Sequence, residues 1–318
     1  MAQWSKDVTE LVGRTPLVEL KRFTMGSGGV HATLLAKLEM FSPGGSSKDR
    51  VALQMVCEAE AQGLLRPGST IAEPTSGNMG ISLAAIAAAR GYQCILTMPD
   101  TVSVERRLLL QRFGAQVVLT PAAQGMRGAI NKVIELRTTL PNTWYPQQFY
   151  NQANPRAHRD STAVEIWEQT SGLVDMVVVG VGTGGTLTGL AEGLRARKPG
   201  VEVVAVEPAS CAILSGGRPG PHRIEGLGAG FIPDTLRVDL IDSVIPVSDH
   251  DAVETAIRIM KEEGLSVGIS SGAVAWAALQ EARKDQNRGK VIVTVFPSAA
   301  ERYLQTMLFD DLRGTLRS

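Results

Sequence analysis

The chain has 318 residues, 44% of them hydrophobic, and its 32 basic and 32 acidic side chains cancel. That apolar content excludes a disordered or fibrous protein. Zero net charge leaves no global field to favour nucleic acid or an anionic membrane, so any anion specificity has to be local. The three cysteines, Cys57, Cys94 and Cys211, are odd in number and far apart, as expected of reduced thiols in a cytoplasmic enzyme. His31, His158, His222 and His250 form no CxxC or HExxH spacing, so no metal is expected. Residues 1–11 lack the apolar run of a signal peptide. Apolar stretches such as 82–89 fall short of the roughly 20 residues that a membrane helix needs.

Along the chain, short β-branched runs alternate with alanine- and leucine-rich segments, the pattern of parallel strands joined by crossover helices. The order predicts a helix over 51–62, a strand over 70–72, a helix over 81–89, a strand over 94–98, a helix over 103–112 and a strand over 116–119. Helices follow over 127–137 and 162–169, then a strand over 176–179, a helix over 187–197 and a strand over 202–206. Helices over 252–263 and 273–282 and a strand over 291–295 complete an α/β chain. Residues 216–221 read as a loop and 151–155 as a domain crossing.

Four segments carry chemistry. Ser46-Ser47-Lys48-Asp49-Arg50 places a lysine between two hydroxyls and a charge pair at a helix start. An amine there becomes a nucleophile or base only if its surroundings lower its pKa or it is held as an imine; otherwise it is a solvated surface group. Val177 to Gly189 runs a buried strand into a glycine-rich turn, so several N–H groups converge at the positive end of a helix dipole. Gly182, Thr183, Gly184, Gly185 and Thr186 thus read as an anion cradle, in which a side chain at 184 would obstruct a phosphate. Gly180, Gly182 and Gly185 also satisfy G-x-G-x-x-G, with Glu207 closing the next strand where a dinucleotide fold places its ribose-binding acid. Thr75-Ser76-Gly77-Asn78-Met79 gives a second anion site at a helix start, or else Ser76 or Asn78 caps that helix. In Gly268-Ile269-Ser270-Ser271-Gly272, Ser270 taken alone reads as a helix cap.

Together these segments resemble the cysteine synthase (O-acetylserine sulfhydrylase) family over nearly the whole length, from Gly13-Arg14-Thr15-Pro16-Leu17 to Glu301-Arg302-Tyr303-Leu304. Pro43 to Arg50 is similar to the family's Schiff-base lysine motif, Thr75 to Asn78 to its substrate loop and Gly182 to Thr186 to its phosphate loop. Gly226 to Pro233 is similar to its flexible C-terminal-domain motif and Gly268 to Ala273 to its pyridine-nitrogen loop.

The resemblance implies a fold-type-II pyridoxal-phosphate enzyme, tryptophan synthase β-like. Each of its two domains would be a mostly parallel twisted sheet flanked by helices, with the cofactor in the cleft. The smaller domain would span 41–153 and carry the substrate loop; 1–40 and 154–318 would form the larger one, carrying the phosphate loop. Lys48 would hold the cofactor as an imine, Asn78 its ring hydroxyl, Gly182 through Thr186 its phosphate, and Ser270 would face the pyridine nitrogen. Thr75, Ser76 and Gln148 would meet the substrate carboxylate, Gln148 because Gln147-Gln148-Phe149 resembles the family's Gln-Gln-Phe, and Met79 would bind substrate in the same loop, either through its side chain or through its backbone N–H alone.

The implied reaction is β-replacement, O-acetyl-L-serine plus sulfide giving L-cysteine and acetate through an aldimine and an aminoacrylate, in a cytoplasmic homodimer able to dock the C-terminal tail of serine acetyltransferase. O-phosphoserine or serine as donor, or homocysteine as nucleophile, stay open, as do an NAD-binding dehydrogenase and a weakened partner-binding relative. Met79 stands where the family typically has threonine and puts the substrate in question. Ser47 replaces an apolar residue, and Thr162-Ala163-Val164-Glu165 and Ala299-Ala300 replace Thr-Gly-Pro-Glu and Ser-Gly.

Overall fold

A computed structural model describes residues 4–315. In chain order the elements are β1 (Leu17–Glu19), α1 (Lys21–Gly26), β2 (Thr33–Leu38), α2 (Lys48–Ala61), β3 (Thr70–Pro74), α3 (Asn78–Arg90), β4 (Gln93–Pro99), α4 (Val104–Arg112), β5 (Gln116–Thr120), α5 (Gly125–Thr139) and β6 (Thr143–Trp144). They continue with α6 (Ala153–Ala157), α7 (Ala163–Gln169), β7 (Val174–Gly180), α8 (Gly185–Arg195), β8 (Glu202–Pro208), β9 (Ser243–Val247), α9 (Asp249–Glu263), α10 (Ile269–Ala282), β10 (Val291–Phe296) and α11 (Asp310–Thr315). Every helix and strand expected from the sequence is present, most of them longer by a few residues. The strands β1, β2, β6 and β9 and the short helices α1, α6 and α11 were not expected.

The chain divides into two compact units. One comprises the segment up to Gly13 with Ser42–Asn154; the other comprises Arg14–Phe41 and Pro155 onwards.

The smaller unit is built on a sheet ordered β5-β4-β3-β6, parallel at every pairing. Parallel neighbours need crossovers, and helices supply them. Strand alternation splits β3 between two packings: Ile71 joins Val51, Met55, Leu83 and Leu96 on the α2/α3 side, while Ala72 joins Ile95 and Val133 of α5 on the other. The segment ending at Gly13, expected with the larger domain, is held here because Arg90 of α3 donates to Thr9 Oγ1 at 3.2 Å.

The larger unit carries a sheet ordered β1-β2-β10-β7-β8-β9, parallel except for β1 against β2. Period-two alternation is clear at β7, where Val178 packs with Val204 and Ile292 in one core and Val177 and Val179 pack with Leu187, Val203 and Val293 in the other. β2 escaped prediction because it contains Lys37, which reads as exposed. The side chain is fully buried instead, its Nζ donating to Thr15 O (2.6 Å), Glu165 Oε2 (2.6 Å) and Gln169 Oε1 (2.8 Å). β9 is an edge strand, the one place where its Pro246 is tolerated in a sheet. Among the described residues no helix is long and apolar enough to cross a membrane.

Candidate active site

The lysine, substrate, phosphate and pyridine-nitrogen segments each end at a helix start, and none of the four helices α2, α3, α8 and α10 has a side-chain cap. Side-chain caps are present at α4, where Ser103 accepts from Arg106 N, and at α9, where Ser248 accepts from Asp251 N, while α1, α5 and α7 lack them as well. First-turn N–H groups have no partner within a helix, so an uncapped start keeps its donors, and the positive end of its dipole, for a ligand. The cap positions of α3 and α10 are Gly77 and Gly268. Ser76, Asn78 and Ser270 are therefore not caps, and that reading of them is corrected.

In the smaller unit Lys48 is the first residue of α2. The following Asp49 is 3% exposed and accepts from Gly44 N (2.7 Å) and Ser82 Oγ (2.6 Å), which ties the lysine loop to α3. Gly44 is required because a Cβ there would collide with the Asp49 carboxylate. Ser46 is fully buried, and its Oγ has no hydrogen-bond partner among the described residues. The Thr75–Asn78 loop leaves the carboxyl end of β3. Thr75 N donates to Thr97 O (3.0 Å), Thr75 Oγ1 accepts from Gly77 N (3.3 Å), and Arg106 donates to Ser76 O at 2.6 Å.

Gln148 is buried. Its N–H donates to Glu73 Oε1 (3.3 Å) and its carbonyl accepts from Asn154 (2.9 Å), while its side-chain amide bonds to no group among the described residues. The other Glu73 oxygen accepts from Gln147 N at 3.1 Å. Burial pushes the Glu73 carboxyl up to about 8, against the opposing pull of these two N–H groups.

Met79 is the second residue of α3. Its side chain is 2% exposed and packs in the core with Leu83, Leu96 and Leu110, leaving only its backbone N–H at the start of α3 for a ligand. Met79→Thr should therefore change kcat/KM less than about twofold while lowering stability by about 2–4 kcal/mol, from lost apolar volume and a buried hydroxyl. Urea unfolding alongside steady-state kinetics checks both. A tenfold kinetic change in a protein of unaltered stability would return the methionine side chain to the substrate.

In the larger unit β7 runs into the glycine-rich turn. Gly184 caps α8 at φ 81°, Thr183 Oγ1 accepts from Gly185 N (3.4 Å), and the N–H groups of Gly184, Thr186 and Leu187 donate to no other group among the described residues. Added Cβ atoms show why the glycines stand there: at Gly182 one would strike the Gly226 carbonyl, and at Gly184 one would lie 2.5 Å from Leu236 Cβ. Glycine at 184 thus has a steric reason within the fold itself, since a side chain would meet Leu236.

Thr235, which sequence reading missed, buttresses the turn by donating to Thr183 O at 2.5 Å. Buried His158 contacts Thr186 Oγ1 through Nε2 at 3.2 Å and Thr162 Oγ1 through Nδ1 at 3.0 Å. The 226–233 segment lies against the same turn, Gly228 N donating to Val181 O at 2.9 Å.

Ser270 is the second residue of α10, 3% exposed, with a hydroxyl that bonds to no group among the described residues. The start of α10 is fixed by Gly268 N donating to Ser298 O at 3.0 Å, just past β10. Because β10 and β7 are neighbours, the Ser270 loop and the glycine-rich turn stand at the carboxyl ends of adjacent strands. Glu207 serves its own loop, taking Leu214 N (2.8 Å), Ser215 N (3.0 Å) and Ser215 Oγ (2.6 Å), so it is not poised for a ribose.

These features suit a phosphorylated pyridine cofactor: an anion turn of uncapped N–H groups and, beside it, a neutral hydroxyl of a buried residue, with no hydrogen-bond partner among the described residues. The chain belongs to the pyridoxal-phosphate dependent enzymes, whose family pattern matches residues 8–298. It is 49% identical over 315 residues to cysteine synthase from Staphylococcus aureus (strain N315), covering 98% of this chain and 100% of that protein. Cysteine synthase from Entamoeba histolytica matches with TM-score 0.93 and 44% identity, over 96% of this chain and 91% of that one. O-ureido-L-serine synthase matches with TM-score 0.93 and 42% identity, over 99% and 100%. The fold is thus that of the fold-type-II enzymes, and the chain is a pyridoxal-phosphate dependent enzyme of the cysteine synthase type. The dehydrogenase reading of G-x-G-x-x-G is set aside.

Proposed function

We propose that the enzyme performs β-replacement, converting O-acetyl-L-serine and sulfide to L-cysteine and acetate. The bound cofactor supplies an electron sink for the bond broken at Cα. The Lys48 amine takes the Cα proton as acetate departs from Cβ, and returns a proton to Cα once hydrosulfide has added at Cβ. Asn78 holds the ring hydroxyl, Gly182, Thr183, Gly184, Gly185 and Thr186 hold the phosphate, and Thr75, Ser76, Gln148 and the N–H of Met79 hold the substrate carboxylate. The substrate loop belongs to the smaller domain of the proposal and the phosphate loop to the larger.

The observation that carries the reading is Ser270, a neutral hydroxyl of a buried residue at an uncapped helix start, with no hydrogen-bond partner among the described residues. A hydroxyl, unlike a carboxylate, does not keep a ring nitrogen protonated, which favours elimination over a long-lived carbanion. Ser270→Asp should cut cysteine formation about 100-fold while the cofactor stays bound. Turnover is measured with O-acetyl-L-serine, O-phospho-L-serine and L-serine, each against sulfide and homocysteine. No cysteine from the first donor with sulfide, or unchanged turnover in Ser270→Asp, would defeat the proposal.

A second reading, another nucleophile on the same framework, is favoured by the full-length likeness to O-ureido-L-serine synthase. A cytoplasmic homodimer that docks the serine acetyltransferase tail completes the proposal, tested by light scattering and by titration with the tail peptide.

A further inference from the structure

We propose that Glu73 is a positioning residue that fixes the turn presenting Gln148 to the substrate carboxylate. The inference rests on the reading of Gln148 given above. Glu73 is the fourth residue of β3, 1% exposed, and lies two positions before the Thr75–Asn78 loop. Its two oxygens are divided between consecutive backbone donors 74 and 75 residues further along the chain: Oε2 takes Gln147 N at 3.1 Å and Oε1 takes Gln148 N at 3.3 Å. A single carboxyl thus binds the turn that presents Gln148 to the strand that launches the other carboxylate loop.

The turn needs holding. Gln147 sits at φ 59°, a left-handed conformation unfavourable for a residue with a side chain. The Asn154 amide, donating to Gln148 O at 2.9 Å, secures the opposite side of the peptide. Gln148 is left with a buried backbone fully engaged and a side-chain amide engaged with nothing among the described residues, the state of a group held ready for a ligand. Burying Glu73 is costly, since a carboxyl out of water with no cation at hand is disfavoured in its charged form, and burial is the largest influence on it. An apolar residue would fill the space without that cost but would leave two buried N–H groups unpaired.

The test uses the holoenzyme and four variants: Glu73→Met, which removes both acceptors at similar volume; Glu73→Gln, which keeps one acceptor oxygen; Gln148→Ala; and the double variant Glu73→Met with Gln148→Ala. The readouts are KM for O-acetyl-L-serine at saturating sulfide, kcat, and amide hydrogen exchange at Gln147 and Gln148. Glu73→Met should raise KM about tenfold with kcat within about twofold, and Glu73→Gln about threefold, both with faster exchange at the two amides. The double variant should show the KM of Gln148→Ala within about twofold, because Glu73 acts through Gln148.

A raised KM in Gln148→Ala beside a wild-type KM in Glu73→Met overturns the inference alone. Multiplying effects in the double variant do the same. A wild-type KM in Gln148→Ala removes the reading of Gln148, and the inference with it. If Glu73→Met does not fold, Glu73→Gln decides: raised KM with faster exchange supports the inference, and wild-type values of either overturn it.

Discussion

Lys48→Ala should give a folded protein whose turnover is lower by about 10⁴-fold, with cofactor that borohydride no longer fixes to the chain. The expectation of an intact fold comes from local structure. Lys48 is the first residue of α2 and alanine is the best helix former, so the substitution does not lower helix propensity there. The loop is secured by its neighbour, since Asp49 keeps its bonds to Gly44 N and Ser82 Oγ. The chemical loss is severe because general acid–base catalysis alone contributes about 10²–10⁴-fold and the same amine is also the covalent tether. Turnover, circular dichroism and peptide mapping after borohydride reduction separate the two effects. A reduced cofactor found on another lysine would end the assignment.

Gly184→Val should strongly destabilise the larger unit. At φ 81° a β-branched residue is strained by about 1–3 kcal/mol, and forcing Cβ to within 2.5 Å of Leu236 Cβ adds about 1–3 kcal/mol of overpacking. The sum, about 2–6 kcal/mol, is comparable with the whole stability of many domains. Stability should fall even in protein prepared without cofactor, which thermal melts of the apoprotein would show. An apoprotein that melts like the wild type while binding cofactor weakly would reverse the order of causes and restore the phosphate as the obstacle.

The sheets were legible because buried parallel strands write themselves as β-branched runs. Val177, Val178 and Val179 alternate between two cores, and both cores reward valine. β2 was not legible, since its Lys37 finds its acceptors at Thr15, Glu165 and Gln169, far away in sequence. The motif loops could be read from spacing, but the residues that hold them could not. Glu73 meets its donors 74 and 75 residues away, and Thr235 meets Thr183 across 52. Distances like these leave no local period. Met79 is the instructive case: it and Leu83, one helical turn on, both fall in the core, so the phase of α3 already indicated an inward side chain. A departure from a family pattern drew attention to chemistry where helix geometry called for packing.

The four uncapped helix starts have a consequence for the protein before any substrate arrives. Three of them have glycine at the cap position, where the missing side-chain acceptor forgoes roughly a few tenths of a kcal/mol, and a ligand bound at these first turns would make up that loss. Whatever binds the native state and not the unfolded chain adds to its stability by mass action. The loaded enzyme is expected to melt at a higher temperature than the unloaded one, which thermal melts with and without added cofactor would show.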